Sequence, residues 1–282
     1  MQSNNPVFRR SDAFNGRGTN AYGNQTYPGN GAGYEGYGQT PTGYDGPQAP
    51  VRSGERMTID SVVQKTGISL GIVVAVAALT WWFTPPITGD PETMGPLLGA
   101  ITIGSLAAFG LSIVNSFKRV ISPALVIAFC VAEGVALGAL SKFFDGYFGD
   151  GIVTQAVLGT FAAFAGTLAA YKFFDIKVGQ KFRTFVIAAV FGMVALSLLE
   201  MVLGFFNSQL GLFGFGGIGL VFSIVGLVLG IFMLILDFDF VEQGVAAGIE
   251  ERESWRAAFA MTVSLVWIYT NLLRILAIFS SD

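Results

Sequence analysis

From residue 66 onward the chain alternates seven apolar runs with short polar interruptions. The runs span about Thr66 to Phe83, Pro96 to Val114, Pro123 to Ser141, Ile152 to Tyr171, Thr184 to Phe206, Gly217 to Leu236 and Ala257 to Phe279. Each approaches the roughly 20 residues an α-helix needs to cross the hydrocarbon of a bilayer. The apolar residues are continuous rather than alternating, and a span in lipid must satisfy its own backbone, so helices are predicted rather than barrel strands. The pattern predicts an all-α integral membrane protein with seven transmembrane helices. Within the runs, Gly134/Gly138, Ala162/Gly166 and Gly226/Gly230 have the small-xxx-small spacing that lets helix backbones approach closely, and packing seams are expected there.

Residues 1–56 follow a different pattern, with steps such as Tyr22-Gly23, Gly36-Tyr37-Gly38 and Gly43-Tyr44. Their apolar content is too sparse and scattered to offset the entropy of ordering. A disordered Gly/Tyr/Asn/Pro-rich tail is predicted, followed by a transmembrane domain over residues 57–282. No charged stretch followed by a short apolar core stands near Met1, so the first span is expected to direct insertion.

Composition sharpens this picture mainly by exclusion. The 282 residues are 52% hydrophobic and 12% charged, about half the usual charged fraction of a soluble domain. A formal net charge of -3 provides no broad basic surface, so no nucleic-acid partner is expected. The absence of histidine removes Ser-His and Cys-His nucleophiles and the HExxH zinc helix. The one cysteine, Cys130, allows no intrachain disulfide and reads as a small buried apolar residue. An aspartyl intramembrane protease would need a second aspartate within the spans, so an enzyme is not expected.

Fourteen of the 16 Lys and Arg fall in the tail or in the connections after spans two, four and six, against Lys142 alone in the opposite loops. The positive-inside rule then places the N-terminus in the cytoplasm and the C-terminus outside an inner (plasma) membrane. Trp81 and Trp82 suit the outer interface, and Trp255 the inner one.

An ionisable group in hydrocarbon costs roughly 2.5–3.5 kcal/mol and needs a partner, a proton or water. Glu133 lies ten residues into the third run, about 15 Å deep at the helical rise per residue. Glu200 and Arg274 fall at matching depths near the outer interface, where they either pair or reach the interface separately. Ser264, Asn271 and Arg274 share one face of the last span, a polar stripe expected to face the bundle interior as interhelical bonds or a water-lined path. After span six come Asp237, Asp239 and Glu242, then Glu250, Glu251 and Glu253, in what reads as an acidic loop. Carboxylates are natural ligands of calcium, so Asp237 and Asp239 are candidate metal ligands, while Glu250, Glu251 and Glu253 read as solvated. Positions two apart point roughly 200° apart on a helix, so Asp237 and Asp239 cannot both face one pore.

Several of these features together resemble the Bax inhibitor motif transmembrane family, specifically its bacterial YccA-type branch. They are the seven short-looped spans, Glu133-Gly134 followed by Leu137-Gly138, the aspartate closing span six, and the last helix from Trp255-Arg256-Ala257-Ala258-Phe259 to Asn271-Leu272-Leu273-Arg274. The resemblance covers about residues 57–280. It implies a central helix enclosed by six others and a calcium or cation leak that responds to pH through a pair of aspartates latched to a nearby base. The first aspartate maps onto Asp237 or Asp239, and the second falls at or near Ile268, which cannot titrate. Lys118 or Arg119 is the basic partner the resemblance suggests. The family branch also implies a second role, a non-conducting regulator that binds a membrane-bound ATP-dependent protease through its N-terminal tail.

The expected function is thus a calcium or cation leak channel in the bilayer, with Asp237, Asp239 and Glu133 along or gating the route. No cofactor is expected beyond Ca²⁺ as the transported ion.

Overall fold

The computed structural model describes residues 55–85, 87, 91–149 and 151–280. The predicted tail therefore lies outside the described residues except for Glu55 and Arg56. Seven helices form the fold among the described residues: α1 (Ile59–Phe83), α2 (Pro91–Phe117), α3 (Pro123–Phe148), α4 (Ile152–Phe173), α5 (Gln180–Phe205), α6 (Gly217–Ala247) and α7 (Ser254–Ser280). All seven are long and apolar enough to cross a membrane. Their outward faces carry large exposed side chains at mid-helix, Ile103, Phe161 and Phe191 among them, as a surface solvated by lipid does.

Local signals set several of the helix ends. Thr58 and Ser61 form a reciprocal capping box at the start of α1, each side chain accepting the other's backbone N–H at 3.1 Å. Pro123 opens α3, where its fixed φ suits the first turn and its missing N–H is no loss. Gly248, at φ +62°, closes α6 in the left-handed conformation glycine tolerates, with the N–H of Ile249 reaching back to Gly244 O at 3.2 Å.

The hydrophobic runs locate every helix but understate their lengths, most of all for α1, α2, α3 and α6. α1 begins seven residues before Thr66, and α6 continues past Leu236 to Ala247. The segment read as an acidic loop is thus three further turns of α6, because Phe238 and Val241 bury an apolar face between its charges. The connection itself is Gly248 to Glu253, ending in a 3₁₀ turn, Glu251–Glu253.

α7 is the central helix, packing on α1, α3, α4 and α6, while α2 packs mainly on α3 and α5 on α6. Two of the three small-residue seams are real contacts. A Cβ on Gly134 or Gly138 would strike α1 at Val73 and Ala77, and one on Gly226 or Gly230 would strike Asn271 or Ile268 of α7. The third is not: Gly166 has open space around it and faces outward.

The starts of α1, α3, α5 and α7 and the ends of α2, α4 and α6 meet at one end of the bundle, here called the basic end. Glu55 to Met57 run antiparallel to the α6–α7 connection, with Met57 N–H donating to Ile249 O at 2.8 Å and Glu251 N–H to Glu55 O at 2.7 Å. Met57 is buried against Ile249 and Gly244. Glu55 and Arg56, assigned to the tail from the sequence, therefore pair with the α6–α7 connection.

Candidate functional site

Ten residues separate Glu133 from the start of α3, Ser264 from the start of α7 and Asp237 from the end of α6. All three therefore lie at a common level, about 15 Å from the basic end. At that level Ser264 Oγ donates to Asp237 Oδ2 at 2.6 Å, joining α6 to the central helix. Glu133 is half-buried and makes no hydrogen bond or ion pair with another described residue.

Asp239, buried at 5% exposure, turns the other way. Its Oδ2 accepts from Arg183 Nη2 of α5 at 2.8 Å and from Gln243 Nε2, one turn along α6, at 2.8 Å. One turn nearer the basic end, Tyr171 of α4 donates to Glu242 Oε2 at 2.6 Å. The two aspartates thus serve different helices, as their 200° separation requires. They do not converge on one ion, and no group of three or more acidic or cysteine side chains fit to hold a metal occurs among the described residues.

The base that meets Asp239 is Arg183, not Lys118 or Arg119. Those two contribute backbone carbonyls to Arg256 Nη2, Arg119 O at 2.9 Å and Lys118 O at 3.4 Å. Arg256 also pairs with Glu253 at 2.6 Å, and Lys65 Nζ pairs with Glu251 at 2.5 Å while lying over the Trp255 ring. Glu251 and Glu253, read as solvated from the sequence, are therefore the stitching of the α6–α7 connection. Glu251 finds its base because the connection packs against the start of α1, and Glu253 finds Arg256 three residues along the chain.

Glu200 and Arg274 lie close in the opposite half without forming an ion pair. The Glu200 carboxylate accepts the backbone N–H groups of Leu210, Gly211 and Leu212 at 2.9, 2.9 and 3.1 Å. Arg274 donates to Leu212 O at 2.6 Å and stacks over Phe213 at 5.1 Å. Both charges hold the α5–α6 loop, whose folded-back backbone offers Glu200 three donors without any need for the guanidinium. Asn271 bonds Trp267 O at 2.8 Å and fills the space over Gly226. Ile268, where the resemblance places a second aspartate, is fully buried against Gly230.

Sequence reasoning passed over Arg183, Gln243 and Tyr171. Arg183 counted only toward orientation, although its place in the first turn of α5 sets it level with the last turns of α6. That correspondence was hidden by ending α6 at Leu236.

A helical bundle whose seven spans carry apolar outer faces and enclose carboxylates is a multi-pass integral membrane protein. A family model described as Bax inhibitor 1 like matches residues 5–281. The chain belongs to that family. No curated protein matches it.

Proposed function

We propose that the protein is a cation leak pathway, permeable to calcium, in an inner (plasma) membrane, with its basic end in the cytoplasm. The reading is carried by one observation: Glu133, Asp237 and Ser264 share a level within the spans, and the Asp239–Arg183 pair lies between them and the basic end. An unpartnered carboxylate at such depth is unfavourable by roughly 2.5–3.5 kcal/mol on insertion scales, which makes Glu133 a candidate for ion contact rather than for packing. Asp237 supplies charge beside the central helix. Arg183 neutralises Asp239 and ties α5 to α6, so this pair is the closing contact at the cytoplasmic end. Protonation of these carboxylates changes the charge of the route, so flux depends on pH without histidine.

Ile268 leaves this chain without a second titrating aspartate on α7, and Ser264 faces Asp237 instead. The closing contact is accordingly an arginine–aspartate pair with one carboxylate. The test is calcium entry into proteoliposomes loaded with a fluorescent indicator, at mildly acidic, neutral and mildly basic pH. Asp239→Asn should raise flux by releasing Arg183, and Asp237→Asn and Glu133→Gln should lower it. Folded wild type and all three variants giving the flux of empty vesicles at every pH would refute the reading. A non-conducting regulator with a membrane protease as partner, bound through the tail, would then take its place.

A further inference from the structure

A groove of about 590 Å³ opens between α1, α3, α4 and α7, within the roughly 300–1,000 Å³ of small-molecule sites. α1 and α4 both pack on α7 but share no extensive contact with each other, so the groove opens sideways between them. Its walls are apolar, Val74 and Ala78 on one side and Val157 and Phe161 on the other, and Trp81 and Trp82 stand toward the end away from the basic end. It lies apart from Asp237 and Asp239 and does not depend on the conduction proposed above.

We propose that this groove seats an acyl chain of a bilayer aminophospholipid, with its ammonium headgroup at Asp145. The groove lies along spans that cross the membrane, so lipid is what reaches a sideways opening. Water is a poor occupant of its inner part because the buried polar groups there, those of Ser141, Thr160 and Tyr269, are already satisfied. Ser141 Oγ bonds both Leu137 O and Tyr269 OH at 2.6 Å, and Thr160 Oγ1 donates to Ala156 O at 2.8 Å. A hydrocarbon chain makes no polar demand on such walls.

Asp145 is the exception. It lines the groove one helical turn beyond Ser141, and its carboxylate makes no hydrogen bond or ion pair with another described residue. Lys142, one turn earlier on α3, does not neutralise it, because its ammonium is engaged by the carbonyls of Trp81 and Thr84 at the end of α1. Indole rings favour the headgroup level, so Trp81 and Trp82 set the Asp145 rim at the depth of lipid headgroups. A lone carboxylate at that rim attracts an ammonium headgroup and repels an anionic one.

The test is native mass spectrometry of the full chain in detergent, offered phosphatidylethanolamine and phosphatidylglycerol of identical chains in equal amount. Wild type should retain one phosphatidylethanolamine, several-fold in excess of phosphatidylglycerol. Asp145→Asn should bind both lipids alike, and Ala78→Trp, which fills the groove from an exposed wall position, should bind neither. Equal retention of the two lipids by wild type would overturn the proposal. So would retention of phosphatidylethanolamine by Ala78→Trp at the wild-type level, or no lipid on any protein. A thermal melt confirms folding of each variant, and Val157→Phe fills the groove from the other wall should Ala78→Trp fail to fold.

Discussion

Gly138→Ala adds one methyl group where α1 and α3 cross. The new Cβ would lie 2.8 Å from Ala77 Cα and 2.9 Å from Thr80 Cβ, with the Ala77 carbonyl oxygen closer still. Carbon atoms rest about 3.5–4.0 Å apart, so the helices must separate locally by about 0.7 Å. The obstacle is backbone, which has no rotamer to turn aside. Overpacking of this kind destabilises by about 1–3 kcal/mol. At roughly 2–4 °C per kcal/mol for a domain of this size, the midpoint of thermal unfolding should fall by about 2–12 °C. Gly166→Ala is the matched control: the same chemical change on α4, where a Cβ meets nothing within 4 Å. There the better helix propensity of alanine, up to about 1 kcal/mol, is all that remains, so the midpoint should hold or rise. Both variants are purified in one detergent and melted by intrinsic fluorescence or static light scattering. Equal midpoints, or a Gly138→Ala midpoint at or above wild type, would refute the close-crossing argument.

Removing Arg183 and Asp239 singly and together, as Arg183→Gln and Asp239→Asn, should reveal a coupling of about 1–2 kcal/mol in a double-mutant cycle on thermal stability. The value lies between exposed and buried pairs because the aspartate is buried and the arginine is 40% exposed. Glu200→Gln weakens the grip on three loop N–H groups and should destabilise by about 1–3 kcal/mol, with faster proteolysis within residues 207–216 as the check. Arg274→Gln in the Glu200→Gln background should add its own loss nearly in full, since the two side chains grip different loop atoms; strong coupling would indicate a direct pair. Glu133→Gln removes a charge that no described residue pairs, so its midpoint should equal or exceed wild type, and a drop of several degrees would reveal a partner.

Helix number and type were legible because each depends on a signal summed over about 20 residues, whereas a central helix was implied only by the family resemblance. Pro123, Ile152 and Gly217 were correct starting points, since proline or glycine punctuates each one or its neighbour. The end of α6 was not legible. A hydropathy reading stops at the first charges, Asp237 and Asp239, but a helix stops where its backbone finds a cap, here Gly248, eleven residues after Asp237. The same error hid the site's partners. The spacing of Asp237 and Asp239 correctly implied different neighbours, but which helix supplies each neighbour is a tertiary fact, and Arg183 is 56 residues from Asp239. Gly166 shows the complementary limit: small-xxx-small spacing permits a close crossing without requiring one.

The two halves of α6 are held by different kinds of contact. Toward its start, Gly226 and Gly230 seat Asn271 and Ile268 of α7 against bare backbone, and Trp267 Nε1 donates to Gly226 O at 2.8 Å. That seam is steric and does not respond to charge. Beyond Leu234 the helix still buries Phe238 and Val241, and it adds three contacts made through carboxylates, Asp237 to α7, Asp239 to α5 and Glu242 to α4. A change of charge at these groups can therefore loosen the basic-end half on three sides while the glycine seam keeps the other half in register. The strap of Glu55 to Met57 on the α6–α7 connection adds backbone hydrogen bonds at that same end.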